Sequence, residues 1–137
     1  MGGYSRRRCR DWALQFLYQA EFGGPHPPDA LERFWHHFQA EGTVPAYLKD
    51  LVEGVASHLE ELDVFIVRYS EHWRLERMTI VDRNLLRLAI YELLYQPHIP
   101  VKVVINEAVE MAKRYGSEAS GGFVNGILDQ VRMSVGR

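Results

Sequence analysis

Apolar residues three and four apart recur along this chain, most densely between Thr79 and Tyr95. There Leu85, Leu86, Leu88, Ala89, Ile90, Leu93 and Leu94 cover most of a helix circumference, leaving Arg83, Arg87 and Glu92 as polar exits. A helix apolar nearly all round has to be enclosed by its neighbours, so this segment is the expected centre of the fold. Thr79-Ile80-Val81-Asp82 opens it as a capping box. At 137 residues the chain suits one compact domain, or two small subdomains sharing a core.

The same period assigns the flanking segments to helices. Ser5 is a plausible N-cap for a first helix carrying Ala13, Leu14, Phe16, Leu17 and Ala20, which Gly23-Gly24-Pro25 ends. A short connector at 26–28 leads to a second capping box at Asp29-Ala30-Leu31-Glu32, and Gly42 stops that helix. A third helix starts near Pro45 and runs long, so a break is expected near Asp63 as a second N-cap. Gly54 inside it costs about 1 kcal/mol against alanine, which points to close approach by a neighbouring helix. Val101 to Ile105 is rich in β-branched residues, but Ile105, Ala108, Val109 and Ala112 continue at helical period and no partner strand exists. It is read as helix, ended by Tyr115-Gly116. Ser117 is the expected cap of the last helix, in which Asn125 and Gly126 are read as packing positions. The sum is an all-α fold of six or seven helices.

Composition excludes several classes. With 47% hydrophobic and 25% charged residues the chain is not of the disordered type. No apolar run approaches the roughly 18–20 residues that span a bilayer. The basic N-terminus is not followed by an apolar segment, so no secretory signal is expected. One cysteine rules out an internal disulfide and fits a reducing cytosol; the expected location is cytoplasmic.

Charge placement says more than the net charge of −2. Thirteen of the sixteen basic residues are arginine, and Arg6, Arg7, Arg8 and Arg10 all precede the first acid, Asp11. Cations at a helix start oppose its dipole, so the cluster is either a merely solvated helix start or a local polyanion site.

No catalytic constellation emerges. Among the six histidines none forms the pair with an intervening glutamate that marks zinc hydrolases, and Glu32 with His36 is too weak a spacing for a metal site. Cys9 lies between Arg8 and Arg10, which could depress its thiol pKa, but no oriented base accompanies it. Gly121-Gly122 lacks the lysine and hydroxyl of a phosphate loop. Glu60, Glu61, Glu107 and Glu110 read as solvated helix faces. No enzyme, metal or cofactor is expected.

Three segments carry a family resemblance: RRRCRDWALQFLYQ at 6–19, VDRNLLRLAIYELLY at 81–95 and PVKVVINEAVEMAKRYGSEASGGFVNGILD at 100–129. They resemble the NusB transcription antitermination factors of bacteria, and the helix order between them agrees. The resemblance implies one NusB-like domain over residues 1–137. Its two three-helix-type subdomains would fall at about 5–71 and 72–135. It also implies binding of boxA RNA in ribosomal RNA operon transcripts, jointly with the small-subunit ribosomal protein NusE. The assembly would support RNA polymerase elongation with other Nus factors. On matching positions, the implied RNA contacts are Arg6, Arg7, Arg8, Arg10 and Phe123, and the implied NusE contacts are Tyr18, Glu76 and Asp82.

Residue chemistry agrees in kind, because single strands are held by backbone cations and stacked aromatics. Four phosphate-neutralising arginines would give a log–log salt slope of roughly −3, at about −0.7 each. Each residue has an alternative: Phe123 as core, Asp82 as a cap, Tyr18 as half-buried packing. Gly122 stands where the family often has a basic residue before FVNG, one charge fewer on the RNA side. Two other functions stay open. NusB-like domains also precede the catalytic domain of some ribosomal RNA cytosine methyltransferases, for which a chain ending at Arg137 leaves no room. A helical interaction module would use the arginines on an acidic partner. The sequence leaves the oligomeric state open, a homodimer included.

Overall fold

A computed structural model of the chain describes residues 4–23, 27–38, 42–70 and 75–137. The expected connector at His26, the Gly24-Pro25 stop and His72 lie outside them. Within the described residues the fold is all-α, without a strand. Seven helices are seen: α1 (Arg6–Ala20), α2 (Ala30–Phe38), α3 (Ala46–Ser57), α4 (Leu59–Tyr69), α5 (Ile80–Tyr95), α6 (Val101–Tyr115) and α7 (Ser120–Ser134). A 3₁₀ turn at Leu75–Arg77 precedes α5.

The predicted caps at Ser5 and Thr79 form. Ser5 Oγ accepts from the Arg8 backbone N–H at 3.2 Å, and Thr79 Oγ1 accepts from Asp82 N–H at 3.1 Å. Pro45 and Pro100 stand immediately before α3 and α6, where a missing N–H is harmless. Gly42 has φ 87°, the left-handed region that suits glycine.

Two boundaries differ from expectation. The α3–α4 break falls at His58, not Asp63, which lies inside α4 and accepts two hydrogen bonds from Arg87. Ser117 does not cap α7. Instead the Ser120 hydroxyl accepts from the Ser117 backbone N–H at 2.9 Å. That hydroxyl needs Gly116, where a Cβ would lie 2.5 Å from it.

As the apolar circumference requires, α5 is central and packs against α1, α3, α4, α6 and α7. Leu85, Leu86, Ile90 and Leu93 are almost wholly enclosed. The close approach inferred at Gly54 is real: an added Cβ would lie 2.1 Å from Tyr91 Cζ of α5. Asn125 and Gly126 correct the packing expectation, because both are exposed and nothing lies within 4 Å of a Cβ built on Gly126.

Candidate nucleic-acid interface

The α1 arginines diverge in role within a single turn and a half. Arg6, Arg7 and Arg8 are exposed, whereas Arg10 is 4% exposed. Arg10 Nε donates to both Glu92 carboxylate oxygens, at 2.9 and 3.0 Å. The Tyr47 hydroxyl also donates to Glu92. This is the correction to Arg10 as a phosphate contact: its guanidinium is committed to a buried carboxylate and does not reach solvent. Glu92 corrects the reading of α5 in the same way, since it faces inward.

Burial works against the charged form of Arg10. The Glu92 hydrogen bonds and charge outweigh that cost, and its pKa stays above the ordinary arginine value. Its Nη2 is buried with no hydrogen-bond partner among the described residues.

The three exposed arginines have distinct settings. Arg6 lies over the Tyr47 ring, 5.6 Å from its centroid. Arg8 lies over both Tyr4 and Trp12, at 5.1 and 4.7 Å. Such cation–π contacts orient a guanidinium while leaving its charge uncompensated. Arg7 instead forms a fork with Glu107 of α6, Nε to Oε1 at 3.0 Å and Nη2 to Oε2 at 2.8 Å. That bond raises the Arg7 pKa and lowers that of Glu107. Glu107 is thus an ion-pair partner rather than a solvated face. Among the described residues, no carboxylate pairs with Arg6 or Arg8.

Cys9 is buried, and burial pushes its thiol above the usual range despite Arg8 and Arg10. The basic flank does not activate it. Among the described residues no three His, Cys, Asp or Glu side chains are grouped to hold a metal.

Phe123 is half-buried at the start of α7, packed against the core on one side. On the other it lines a cleft of about 290 Å³ together with Arg77, Thr79, Asp82 and Ser120. Asp82 is 7% exposed, and its Oδ1 has no hydrogen-bond partner among the described residues. Tyr18, 42% exposed, has its ring tilted against that of Phe22 with centroids 5.1 Å apart, and lines a neighbouring cleft with Leu14, Val81 and Tyr115. The start of α5 therefore has Val81 in one cleft and Asp82 in the next. Glu76 is exposed in the 3₁₀ turn leading into it.

The structure brings Asp82 and Phe123 together and sets Tyr18 in the adjoining cleft. Arg7 meets α6 at Glu107, and the start of α7 packs on the same helix, where a Cβ built on Gly121 would lie 3.8 Å from Val109 and 3.7 Å from Lys113. Sequence reasoning missed Tyr4, Trp12 and Tyr47 as supports of the arginines. The only available signal was their aromatic character, because helix period does not say which loop or helix lies over which.

Known proteins resemble this architecture over nearly its whole length. A model of the NusB family matches residues 7–133. The transcription antitermination protein NusB of Anaeromyxobacter dehalogenans (strain 2CP-1 / ATCC BAA-258) is 53% identical over 127 residues, 92% of this chain and 89% of that protein. The protein of the same description from Myxococcus xanthus is 46% identical, with 97% and 98% covered. The solved structure of T. maritima NusB superposes with a TM-score of 0.83 at 41% identity, covering 96% of this chain and 93% of that one. A chain from the crystal structure of antitermination factors NusB and NusE in complex with dsRNA superposes at 0.79 and 30% identity, covering 94% and 96%. With an apolar central helix, an arginine-led first helix and agreement from end to end, the chain belongs to the NusB family.

Proposed function

We propose that this chain is a non-enzymatic transcription antitermination factor. It binds boxA RNA of ribosomal RNA operon transcripts together with NusE, and supports processive elongation by RNA polymerase in the cytoplasm with other Nus factors. RNA runs along the exposed start of α1, at Arg6, Arg7 and Arg8, with Phe123 offering a base-stacking face. NusE docks on the side marked by Tyr18, Glu76 and Asp82. The observation that carries this reading is the pair Arg6 and Arg8, two exposed guanidiniums braced on aromatic rings with no carboxylate among the described residues to cancel them. Backbone cations beside aromatic platforms are what single-stranded RNA requires. The solved NusB–NusE–dsRNA complex supports both partner classes.

A titration of single-stranded boxA RNA, with and without NusE, tests it. Preference for boxA over a scrambled strand, and tightening by NusE, are expected. Salt-dependent binding to every RNA alike would favour an interaction module that takes any acidic partner. Phe123→Ala is expected to cost about 1–3 kcal/mol of RNA affinity with the salt slope unchanged. Glu76→Lys is expected to weaken NusE binding without lowering the melting temperature, because charge complementarity aids encounter with a basic ribosomal protein. Unchanged NusE affinity would remove Glu76 from the interface.

A further inference from the structure

Among the described residues, Arg7 is the one exposed arginine of the run whose charge a carboxylate answers. Its Nε–Nη2 edge, the edge that forks onto carboxylates and phosphates alike, is occupied by Glu107. We propose that Glu107 sets the RNA affinity of this protein by holding Arg7 as an internal stand-in for phosphate, so that RNA has to displace a carboxylate to use that arginine. The proposal rests on the reading that the α1 arginines meet RNA, and it names which of them is withheld.

The two partners are unequal in a way that decides which one moves. The Arg7 side chain is 64% exposed, on a long flexible stem at a helix start. The Glu107 side chain is 15% exposed, on α6, with Arg10 Nη1 a further 3.7 Å away. If a phosphate draws Arg7 outward, Glu107 keeps a cation beside it and is not stranded. Arg10 cannot follow, because Glu92 holds it inside. The displaceable group is Arg7, and the fixed anion that competes with RNA is Glu107. Its lowered pKa, due first to the Arg7 hydrogen bond, keeps it ionised at neutral pH, so the competition is permanent.

Counterion bookkeeping gives the competition a signature. An arginine that stays on its carboxylate neutralises no phosphate and so releases none of the counterions condensed on the RNA. Arg6 and Arg8 contribute about −0.7 each to the salt slope, and Arg7 contributes little. The α1 contribution is then about −1.4, against the roughly −3 expected of four free arginines.

The test is titration of the full chain with a short single-stranded boxA RNA across a range of salt, with melting temperature measured on every variant. Glu107→Gln is expected to bind about two- to fivefold more tightly, the scale of one exposed ion pair, and to steepen the slope by about 0.7. In an Arg7→Gln background the same change should gain nothing. Independently of how Glu107→Gln folds, Arg7→Gln in the parent chain should cost less affinity than Arg6→Gln or Arg8→Gln. Glu107→Gln binding more weakly, or Arg7→Gln costing as much as Arg6→Gln, overturns the proposal and leaves the RNA site standing. Should Arg6→Gln, Arg7→Gln and Arg8→Gln all bind like the parent, the RNA reading itself fails, and this inference with it.

Discussion

Arginine can serve as a surface cation or as a buried structural ion, and the partner decides which. Arg10 is enclosed with Glu92 and Tyr47, so removing its charge leaves a carboxylate inside the protein with only a phenol for company. Breaking a buried pair from one side costs about 3–5 kcal/mol, far more than an exposed ion pair is worth. Arg10→Ala should therefore lower the melting temperature strongly. Arg6→Gln and Arg8→Gln should leave it within a degree or two, since surface changes rarely exceed about 0.5 kcal/mol. Equal melting temperatures across the three variants would mean Arg10 is not buried as described. The run RRRCR gives no hint of this division, because Glu92 lies 82 residues away and reads as an exit from an apolar helix. The local conflict of cations with the helix dipole was legible. Its partial relief by Glu107, a hundred residues off, was not.

At the scale of helices, most of the architecture was legible because period, caps and prolines are local signals. The apolar circumference of 79–95 required a central helix, and α5 is one. What was missed at this scale is informative. Asp63 has the chemistry of an N-cap, yet it sits inside α4, where Arg87 Nε and Nη2 reach its carboxylate at 2.7 and 3.0 Å. A tertiary ion pair outweighs a capping preference worth about 1 kcal/mol.

Gly54 shows the opposite, a local cost that correctly signalled a long-range contact. Alanine there would gain about 1 kcal/mol of helix propensity and place a Cβ 2.1 Å from a buried ring. Overpacking of that kind costs about 1–3 kcal/mol and often more. Tyr91 has little freedom to retreat, because its hydroxyl donates to Asp50 at 2.9 Å. Gly54→Ala should lower the melting temperature. Gly126→Ala, in open space on α7, should raise it slightly. A rise in both would show that α3 and α5 do not approach as closely as described.

Across the whole molecule, α1 is tied to its neighbours by charge at several points along its length. Arg7 pairs with Glu107 and Asp11 with Arg114, both reaching α6. Past its C-terminal end, Glu21 accepts from Arg83, Asn84 and Arg87 of α5, and Arg87 continues to Asp63 of α4. None of these pairings was legible, since every one joins residues more than twenty positions apart, and period says nothing about register between helices.

Together they make the fold sensitive to acid. Burial alone would raise the Glu21 pKa, but the Asn84 and Arg83 hydrogen bonds and the Arg83 and Arg87 charges hold it below 4.5. For Glu107 the Arg7 hydrogen bond does the same. A carboxyl whose folded pKa is depressed contributes stability that is present above its unfolded value and is lost as pH falls through the folded one. The melting temperature should hold at neutral pH and decline once pH drops below about 4.5, the ordinary glutamate range. Glu21→Gln should melt lower than the parent at neutral pH, and the gap should close in acid as the parent's own carboxyl protonates. A gap that stays constant from neutral to acid pH would show that Glu21 acts through packing and hydrogen-bond shape alone, with its charge contributing nothing to the tie between α1 and α5.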